Sequence, residues 1–142
     1  MVLYAKDIVE SQFLALPAET SVYEGAKAMK EARQGYAVVG APGRPEGIVT
    51  EWDILSKVVA AGLDAKSVKL REIMSTELLS IEADAGIAAV SQLMAEKGVR
   101  RLLVKRGGEV IGVITARTML ERLNEYVDNV SAQIGRLQSP GF

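Results

Sequence analysis

The amino-acid sequence predicts an α+β fold in which two pseudo-twofold-related β-α-β-β-α repeats pack sheet to sheet, followed by an extended C-terminal helix. Three observations predict it: an internal repeat at a spacing of 65 residues, the same order of hydrophobic patterns in both halves, and an apolar seam continuing past the second repeat. A repeat of about fifty residues buries too little apolar surface to be robust alone. We therefore expect the two copies to cover each other's sheets.

The internal repeat aligns the two halves of the chain without a gap when the second half is shifted back by 65 residues. Identical residues coincide along the whole repeat: Ile8 with Ile73, Ala18 with Ala83, Met29 with Met94, Glu31 with Glu96, Val39 with Val104, Gly43 with Gly108, Gly47 with Gly112, Thr50 with Thr115, and Leu55 with Leu120. We assign the first repeat to residues 1–61, a linker to 62–70, the second repeat to 71–123, and a C-terminal helix extension and tail to 124–142.

The first repeat contains, in chain order, patterns for a strand, a helix, a β-hairpin and a second helix. Short apolar runs bounded by turn residues predict the strands, whereas apolar residues spaced by three or four predict the helices. The predicted elements are a strand over 13–16, a helix over Ser21–Gln34, hairpin strands over 36–39 and 47–50, and a helix from Glu51 to about Ala61. Thr20 or Ser21 is available as the N-cap of the first helix.

The second repeat shows the same order of patterns. Its predicted elements are a strand over 78–81, a helix over Ile87–Lys97, hairpin strands over Arg101–Val104 and Val110–Thr115, and a last helix beginning near Ala116. Glycines at the turn between the two hairpin strands support the hairpin.

The last helix is longer than its counterpart in the first repeat. An apolar seam with steps of three and four residues runs through Leu120, Leu123, Val127, Val130, Ile134 and Leu137. Such a seam either folds back on its own domain or packs against a second copy. Beyond about Tyr126 the repeat offers it no partner within the chain, so we predict a homodimer. The final residues, Ser139–Phe142, are predicted to be a frayed end.

Composition excludes several classes of function. The 17 basic and 18 acidic residues are interspersed, so no broad basic field is available for nucleic acid. The sequence has no cysteine and no histidine, which removes disulfides, nearly every zinc, haem or iron–sulfur site, and Cys–His or Ser–His nucleophiles. No signal pattern or membrane-spanning run is apparent. We expect a cytoplasmic, non-enzymatic protein with no metal site, no obligatory cofactor, and no nucleic-acid or membrane partner.

Two related motifs point to a family. Each hairpin ends with Gly-aliphatic-aliphatic-Thr leading into a helix, over 47–50 with Asp53 nearby, and over 112–115. An arginine pair, Arg100 and Arg101, precedes a strand of the second repeat, which opens with Ile-Met-Ser over 73–75. In the order and spacing of these motifs, residues 8–123 resemble a tandem pair of CBS domains, or Bateman module.

The resemblance implies a cleft between the repeats that binds an adenine nucleotide as a regulatory ligand. In such a cleft the acid of one repeat accepts hydrogen bonds from the ribose hydroxyls, and strand segments flank the adenine. The threonine of the same repeat and the basic groups of the other repeat bind the phosphate. Carried over by position, the site comprises Ile48, Thr50 and Asp53 from the first repeat and Leu79, Ser80, Ile81, Arg100, Arg101, Thr115 and Arg117 from the second.

The pseudosymmetric second site departs from the family pattern. Its residues are Leu14, Leu16, Tyr36, Trp52, Val113 and Thr118. In the repeat alignment Thr118 replaces the acid, while Gly35, Tyr36 and Trp52 replace Arg100, Arg101 and Arg117. We therefore predict one competent nucleotide site per chain, with the second either empty or occupied by a less charged adenosine-like ligand.

Thr50 and Asp53 also have a purely structural interpretation, because they fit a capping box at the start of a helix. We favour a role in ligand binding as well, since Thr118 replaces the acid at the equivalent helix start while the fold is expected to persist. The two roles are compatible.

The other candidates have structural interpretations too. Alternation along a strand predicts that only one of Arg100 and Arg101 faces the cleft, and we favour Arg100. Arg117 lies in the first turn of a helix, where a bound phosphate would offset its unfavourable interaction with the helix dipole. Tyr36 and Trp52 are more often packing residues than stacking platforms.

The leading functional hypothesis is a sensor in which nucleotide binding between the repeats changes conformation or the contacts made with an unidentified regulated protein. One alternative is a structural or interaction scaffold that works without ligand. Another is a binder of an adenosyl ligand of the S-adenosylmethionine type. An enzyme is disfavoured because Asp53 is the lone acid of the proposed cleft.

Overall fold

The computed structural model describes residues 3–137, which form two three-stranded sheets, one in each repeat. The first repeat comprises α1 (Ala5–Ile8), β1 (Ala15–Leu16), α2 (Val22–Ala32), β2 (Tyr36–Ala41), β3 (Arg44–Thr50), and α3 (Glu51–Ile54), which continues as a π-helical turn (Leu55–Val59). The second comprises α4 (Leu70–Ile73), β4 (Ser80–Glu82), α5 (Ile87–Lys97), β5 (Arg101–Arg106), β6 (Glu109–Thr115) and α6 (Ala116–Leu137). The predicted β-α-β-β-α order is confirmed.

Both sheets have the same topology. The first strand of each runs parallel to the second, pairing Ala15 with Val38 and Ser80 with Leu103, and each hairpin is antiparallel. The long connection that a parallel pair requires is supplied by α2 or α5. The Ser21 hydroxyl caps α2 by accepting a hydrogen bond from the backbone N–H of Glu24 at 3.1 Å.

The inner faces of the two sheets share one apolar core, as predicted. Buried side chains from both hairpins meet there: Tyr36, Val38, Leu103, Val110 and Val113. This shared core fixes the two repeats against each other and leaves the ends of the hairpins on either side of the interface.

The short helices α1 and α4, which the sequence analysis did not predict, exchange between the repeats. Ala5 and Ile8 of α1 pack into the core of the second repeat with Val90, Met94 and Leu102. The exchange is reciprocal, because α4 packs into the core of the first repeat. Each opening helix therefore completes the core of the other copy.

The α4 side of this exchange includes residues that we assigned to the linker. Val68 and Leu70 pack against the first repeat, and the backbone N–H of Leu70 donates to the carbonyl of Thr20 at 2.9 Å. Gly25, inside α2, leaves room for this contact, since a Cβ there would lie 2.9 Å from Leu70 Cδ2. The domain boundaries themselves stay a prediction.

Helix α6 carries the apolar seam along an exposed face. Leu120, Leu123, Val127 and Ile134 are exposed, and Val130 is half-buried. The side chain of Leu137 and the tail predicted to fray lie outside the described residues. Among residues 3–137, no helix combines the length and apolar character needed to cross a membrane.

Candidate functional site

Two cavities lie between the repeats and are related by the pseudo-twofold symmetry. The first cavity, of about 340 Å³, is lined from the first repeat by Ile48, Thr50, Trp52 and Asp53, and from the second mainly by Ser75, Glu77, Leu78, Leu79, Val99, Arg100 and Arg101. The second cavity, of about 680 Å³, is lined chiefly by Glu10, Arg33, Gln34, Tyr36, Glu51, Thr115, Arg117 and Glu121, with Arg100 and Arg101 again contributing. The arginine pair thus separates the two cavities.

The glycine of each Gly-aliphatic-aliphatic-Thr motif allows the cavity walls to approach. A Cβ on Gly47 would lie 2.6 Å from Met74 Sδ and 2.9 Å from the Ser75 carbonyl, and a Cβ on Gly112 would clash with the Glu10 carbonyl. The segment after each exchanged helix can therefore pair with the hairpin of the other repeat, as Ser75 does with Ile48. This pairing brings residues of both repeats into one cavity.

The structure brings together much of the predicted nucleotide site. Its predicted members in the first cavity are Ile48, Thr50, Asp53, Leu79, Arg100 and Arg101. Ser80 and Ile81 follow Leu79 in the chain and belong to β4, but they are not among the residues that line the cavity. The carboxylate of one repeat and the guanidinium groups of the other therefore share a cavity.

Three predicted residues line the cavity opposite to the one expected. Thr115 and Arg117, both predicted for the nucleotide site with Asp53, line the second cavity, whereas Trp52, predicted for the second site, lines the first. Adjacent residues at the start of α3 face different cavities, since Glu51 lines the second whereas Trp52 and Asp53 line the first. Position in the repeat alignment therefore does not decide which cavity a residue lines. Trp52 is also 65% exposed, which corrects the expectation that it is a packing residue.

The remaining residues of the predicted second site have structural roles. Val113 is buried in the core between the sheets, and Leu16 packs partly against the first repeat. The backbone N–H of Leu14 donates to the Gln34 side chain at 2.9 Å. Among the residues predicted for this site, Tyr36 lines the second cavity.

Thr50 and Asp53 form the capping box at the start of α3. Asp53 Oδ2 accepts from the Thr50 backbone N–H at 2.9 Å and from its hydroxyl at 3.1 Å, and Thr50 Oγ1 accepts from the Asp53 N–H at 3.3 Å. Asp53 Oδ1 lies 3.0 Å from Lys57 Nζ. These contacts hold the carboxylate, whose side chain is 13% exposed, in one orientation at the cavity wall.

Thr118 caps α6 in the same way without a carboxylate. Its hydroxyl accepts from the Thr115 backbone N–H at 3.1 Å, and Thr115 Oγ1 accepts from the Thr118 N–H at 3.1 Å. A threonine at this position therefore satisfies the helix start. The negative charge of Asp53 exceeds what capping requires, which favours an additional role.

Arg101 is the more buried member of the arginine pair. Its side chain is 16% exposed, against 67% for Arg100, and its guanidinium carbon lies 5.1 Å from the centre of the Tyr36 ring. Glu51 Oε1 lies 3.6 Å from Arg100 Nη2 and 3.9 Å from Arg101 Nη2. Burial, followed by the charge of Arg100, lowers the pKa of Arg101. Both arginines line the first cavity, although strand alternation had favoured Arg100 alone.

Tyr36, which lines the second cavity, has a buried hydroxyl. Within the described part of the chain this hydroxyl has no hydrogen-bond partner. Burial raises its pKa to about 12, and the charge of Glu10 adds to the effect. The group is therefore a neutral donor at neutral pH. No cluster of three or more potential metal ligands of the Asp, Glu, His or Cys type occurs among residues 3–137.

Comparison with known proteins identifies the family. The model of the CBS domain matches residues 5–60 and again 70–125. The chain belongs to the CBS domain family. It contains a pair of CBS domains, which are generally regulatory, non-catalytic modules.

Relatives and solved structures agree with this assignment. An uncharacterized protein of Methanopyrus kandleri is 31% identical over 123 residues, which cover 86% of this chain and 63% of the relative. A conserved protein from Pyrococcus horikoshii has a similar structure, with a TM-score of 0.78, 27% identity, and coverage of 84% and 90%. A CBS domain protein from Pyrobaculum aerophilum complexed with AMP has a TM-score of 0.74, 24% identity, and coverage of 82% and 89%.

The chain does not span the full length of its curated relatives. It covers 63% and 65% of the lengths of two of them.

Sequence reasoning missed several residues of the cavities. Glu77 and Val99 line the first, while Glu10, Arg33 and Glu51 line the second. Of these, Glu10 could have been found from the repeat alignment, because it coincides with Ser75, which directly follows the Ile-Met pair opening the second repeat.

Proposed function

We propose that this CBS pair is a non-catalytic sensor that binds an adenine nucleotide, preferentially AMP, in the first cavity. The observation that carries the proposal is that a preoriented carboxylate, Asp53, and two guanidinium groups, Arg100 and Arg101, line one cavity from different repeats. A carboxylate accepts hydrogen bonds from a vicinal diol, and guanidinium groups bind phosphate oxygens in pairs. A ligand spanning both would bridge the repeats.

The charge of the first cavity favours a single phosphate. Its charged lining residues are Asp53, Glu77, Arg100 and Arg101, so acids and bases balance. Arg117, which would have added a third cation, faces the second cavity. The volume of about 340 Å³ lies at the lower end of the usual range for ligand sites. AMP fits these limits better than ATP. The structurally similar Pyrobaculum protein is complexed with AMP, which supports this choice of ligand.

The output of the sensor is a change in the relative placement of the repeats, or in contacts with a regulated protein that is not yet identified. We also propose a cytoplasmic location. The balanced charge of the sequence supports the further proposal that the protein has no nucleic-acid or membrane partner. The lack of histidine and cysteine supports a non-catalytic role without an obligatory cofactor.

The proposal is tested by titrating the protein with AMP, ADP, ATP and S-adenosylmethionine. Trp52 is the one tryptophan of the sequence and lines the first cavity, so its emission should change on binding. AMP at a hundred times its dissociation constant should add about 2.7 kcal/mol to the free energy of unfolding. Calorimetry should give one AMP per chain, because Thr118 is at the position matching Asp53 and the capping box of α6 therefore holds no carboxylate for a diol.

Each alternative has its own outcome in this titration. No thermal shift and no change in emission with any adenine ligand would favour the ligand-independent scaffold. A larger response to S-adenosylmethionine than to AMP would favour the adenosyl-ligand alternative. Two equivalent AMP molecules per chain would contradict the assignment of a single competent site. Ribose 5-phosphate is the control that lacks the base.

We also propose that α6 packs against a second copy of the chain. Its seam presents Leu123, Val127 and Ile134 to solvent, and most helical stability in proteins comes from packing of such an apolar face. Truncation after Leu123 should therefore convert a dimer to a monomer in light scattering. The double substitution Val127→Ser and Ile134→Ser, which keeps the chain length, should do the same.

Substitution on the polar side of α6 provides the control. Asn129→Ala changes an exposed residue outside the seam and should leave the mass unchanged. A dimer that survives both the truncation and the double substitution would contradict a role for the seam in association.

A further inference from the structure

Lys57 connects the first cavity to an exchanged helix. Its ammonium lies 3.0 Å from Asp53 Oδ1 and donates to the backbone carbonyl of Ile73 at 2.9 Å. Ile73 is the last residue of α4, the helix that the second repeat places in the core of the first. One side chain therefore touches both the candidate diol-binding acid and the element that joins the two repeats.

We call the contact between Lys57 and the Ile73 carbonyl a clamp. The second repeat contains a matching clamp that is not linked to an acid of a cavity. Arg122 coincides with Lys57 in the repeat alignment, and its Nη2 donates to the carbonyl of Asp7, in the other exchanged helix α1, at 2.9 Å. Its ion-pair partner is Glu125, on its own helix, at 3.3 Å, and the position matching Asp53 is Thr118. Each repeat thus has a clamp, but only the clamp of the first repeat, at Lys57, also contacts an acid of a cavity.

Asp53 has too few free acceptor sites for a diol. A carboxylate offers about four lone-pair sites. In the structure the Thr50 N–H, the Thr50 hydroxyl and the Lys57 ammonium occupy three of them. A vicinal diol donates two hydrogen bonds, so one present partner must leave.

The partner that leaves most readily is Lys57. Its side chain is 47% exposed, and an exposed i,i+4 ion pair of this kind contributes little to stability. Loss of the Thr50 contacts would cost more, because it would leave the backbone N–H at the start of α3 without a partner.

We propose that Lys57 is a positioning residue that couples occupancy of the first cavity to the exchanged helix α4. This inference rests on the proposed function. A ribose diol displaces the ammonium from Asp53. The half-exposed Lys57 side chain, no longer anchored by the carboxylate, can then move into solvent and leave the Ile73 carbonyl. Because α4 has only four residues and its Leu70 N–H bonds to the Thr20 carbonyl, loosening this clamp alters the contact between the repeats.

The helical turn that carries Lys57 is itself irregular. The N–H of Ala60 bonds to the carbonyl of Leu55 at 2.8 Å, which makes the turn π-helical, whereas α6 is α-helical at the matching positions. π-Helical turns inside helices occur frequently at functional sites. The irregularity is thus confined to the clamp that is linked to the cavity.

Hydrogen exchange measured by mass spectrometry tests the coupling. AMP should speed exchange several-fold in a peptide over 68–76, which contains α4, and leave a peptide over 3–10, which contains α1, unchanged. In Lys57→Met, exchange over 68–76 should already be fast without AMP, and AMP should add no further increase while still binding. Lys57→Gln is the second variant if Lys57→Met is poorly folded.

Arg122→Met is the matched control. It should speed exchange over 3–10 and retain the response of 68–76 to AMP. If neither Lys57 variant changes exchange over 68–76 in the free protein, the clamp is disproved without reference to any ligand. If AMP binds by calorimetry but exchange over 68–76 stays constant or slows, the coupling alone is disproved. If AMP neither releases heat nor changes Trp52 emission, the proposed function fails and the coupling fails with it.

Discussion

Replacing Asp53 with threonine is expected to lower the affinity for AMP by roughly 10- to 100-fold while changing the free energy of unfolding by less than about 1 kcal/mol. Hydrogen bonds to a charged group contribute about 1.5–3 kcal/mol, and every 1.4 kcal/mol is tenfold in affinity. The fold should persist because Thr118 already caps α6 with a hydroxyl at the matching position. Calorimetric titration with AMP and urea denaturation measure the two quantities.

Two further variants separate ligand binding from capping. Asp53→Ala removes the diol acceptor and also the half of the capping box that Asp53 supplies, so it should lose AMP affinity and up to about 1 kcal/mol of stability. Thr118→Asp is the reciprocal change and should leave AMP binding in the first cavity unaltered. If Asp53→Thr binds AMP as the natural chain does, capping alone explains this acid.

Leu70→Ala is expected to have the largest effect on stability, a loss of about 2–5 kcal/mol. Leu70 is fully buried and lies in the core of the first repeat with Val22, Val49 and Val58. Its removal leaves a cavity next to Gly25, which has no side chain to fill the space. Urea denaturation monitored by circular dichroism gives the difference in the free energy of unfolding.

Leu63→Ala is the matched control for this experiment. Leu63 belongs to the same predicted linker but is 53% exposed, so its truncation should change stability by less than about 0.5 kcal/mol. A loss below about 1 kcal/mol in Leu70→Ala would mean that residues 62–70 behave as a linker throughout and that α4 is not an integral part of the first core.

Most secondary-structure elements could be predicted because their sequences are long enough to show a period. The helix over Ile87–Lys97 is predicted with its observed bounds, and Ser21 is one of the two caps expected for α2. Helices α1 and α4 were missed, since four residues complete barely one turn and show no repeated spacing. The helix from Glu51 was predicted, but its π-helical continuation has no sequence signal.

The site was predictable where both interacting residues belong to one local sequence motif. Thr50 and Asp53 lie three residues apart, and the capping box that joins them follows from that spacing. Arg117 and Trp52 were assigned to the wrong cavities, because a linear alignment pairs their positions without showing which cavity each helix start faces. Lys57 was not considered, since its contact with Ile73 depends on the exchange of α4.

The sequence by itself determined the repeat, the order of the elements and the family, since hydrophobic spacing and turn residues act within a few positions of the chain. Only the tertiary structure decided that the opening helices exchange, that the arginine pair divides two cavities, and that Lys57 lies between Asp53 and Ile73. Those features depend on contacts between residues that are distant in sequence. Local sequence patterns carry no information about such contacts. These contacts depend on how the side chains of the two repeats pack together to fill their cores.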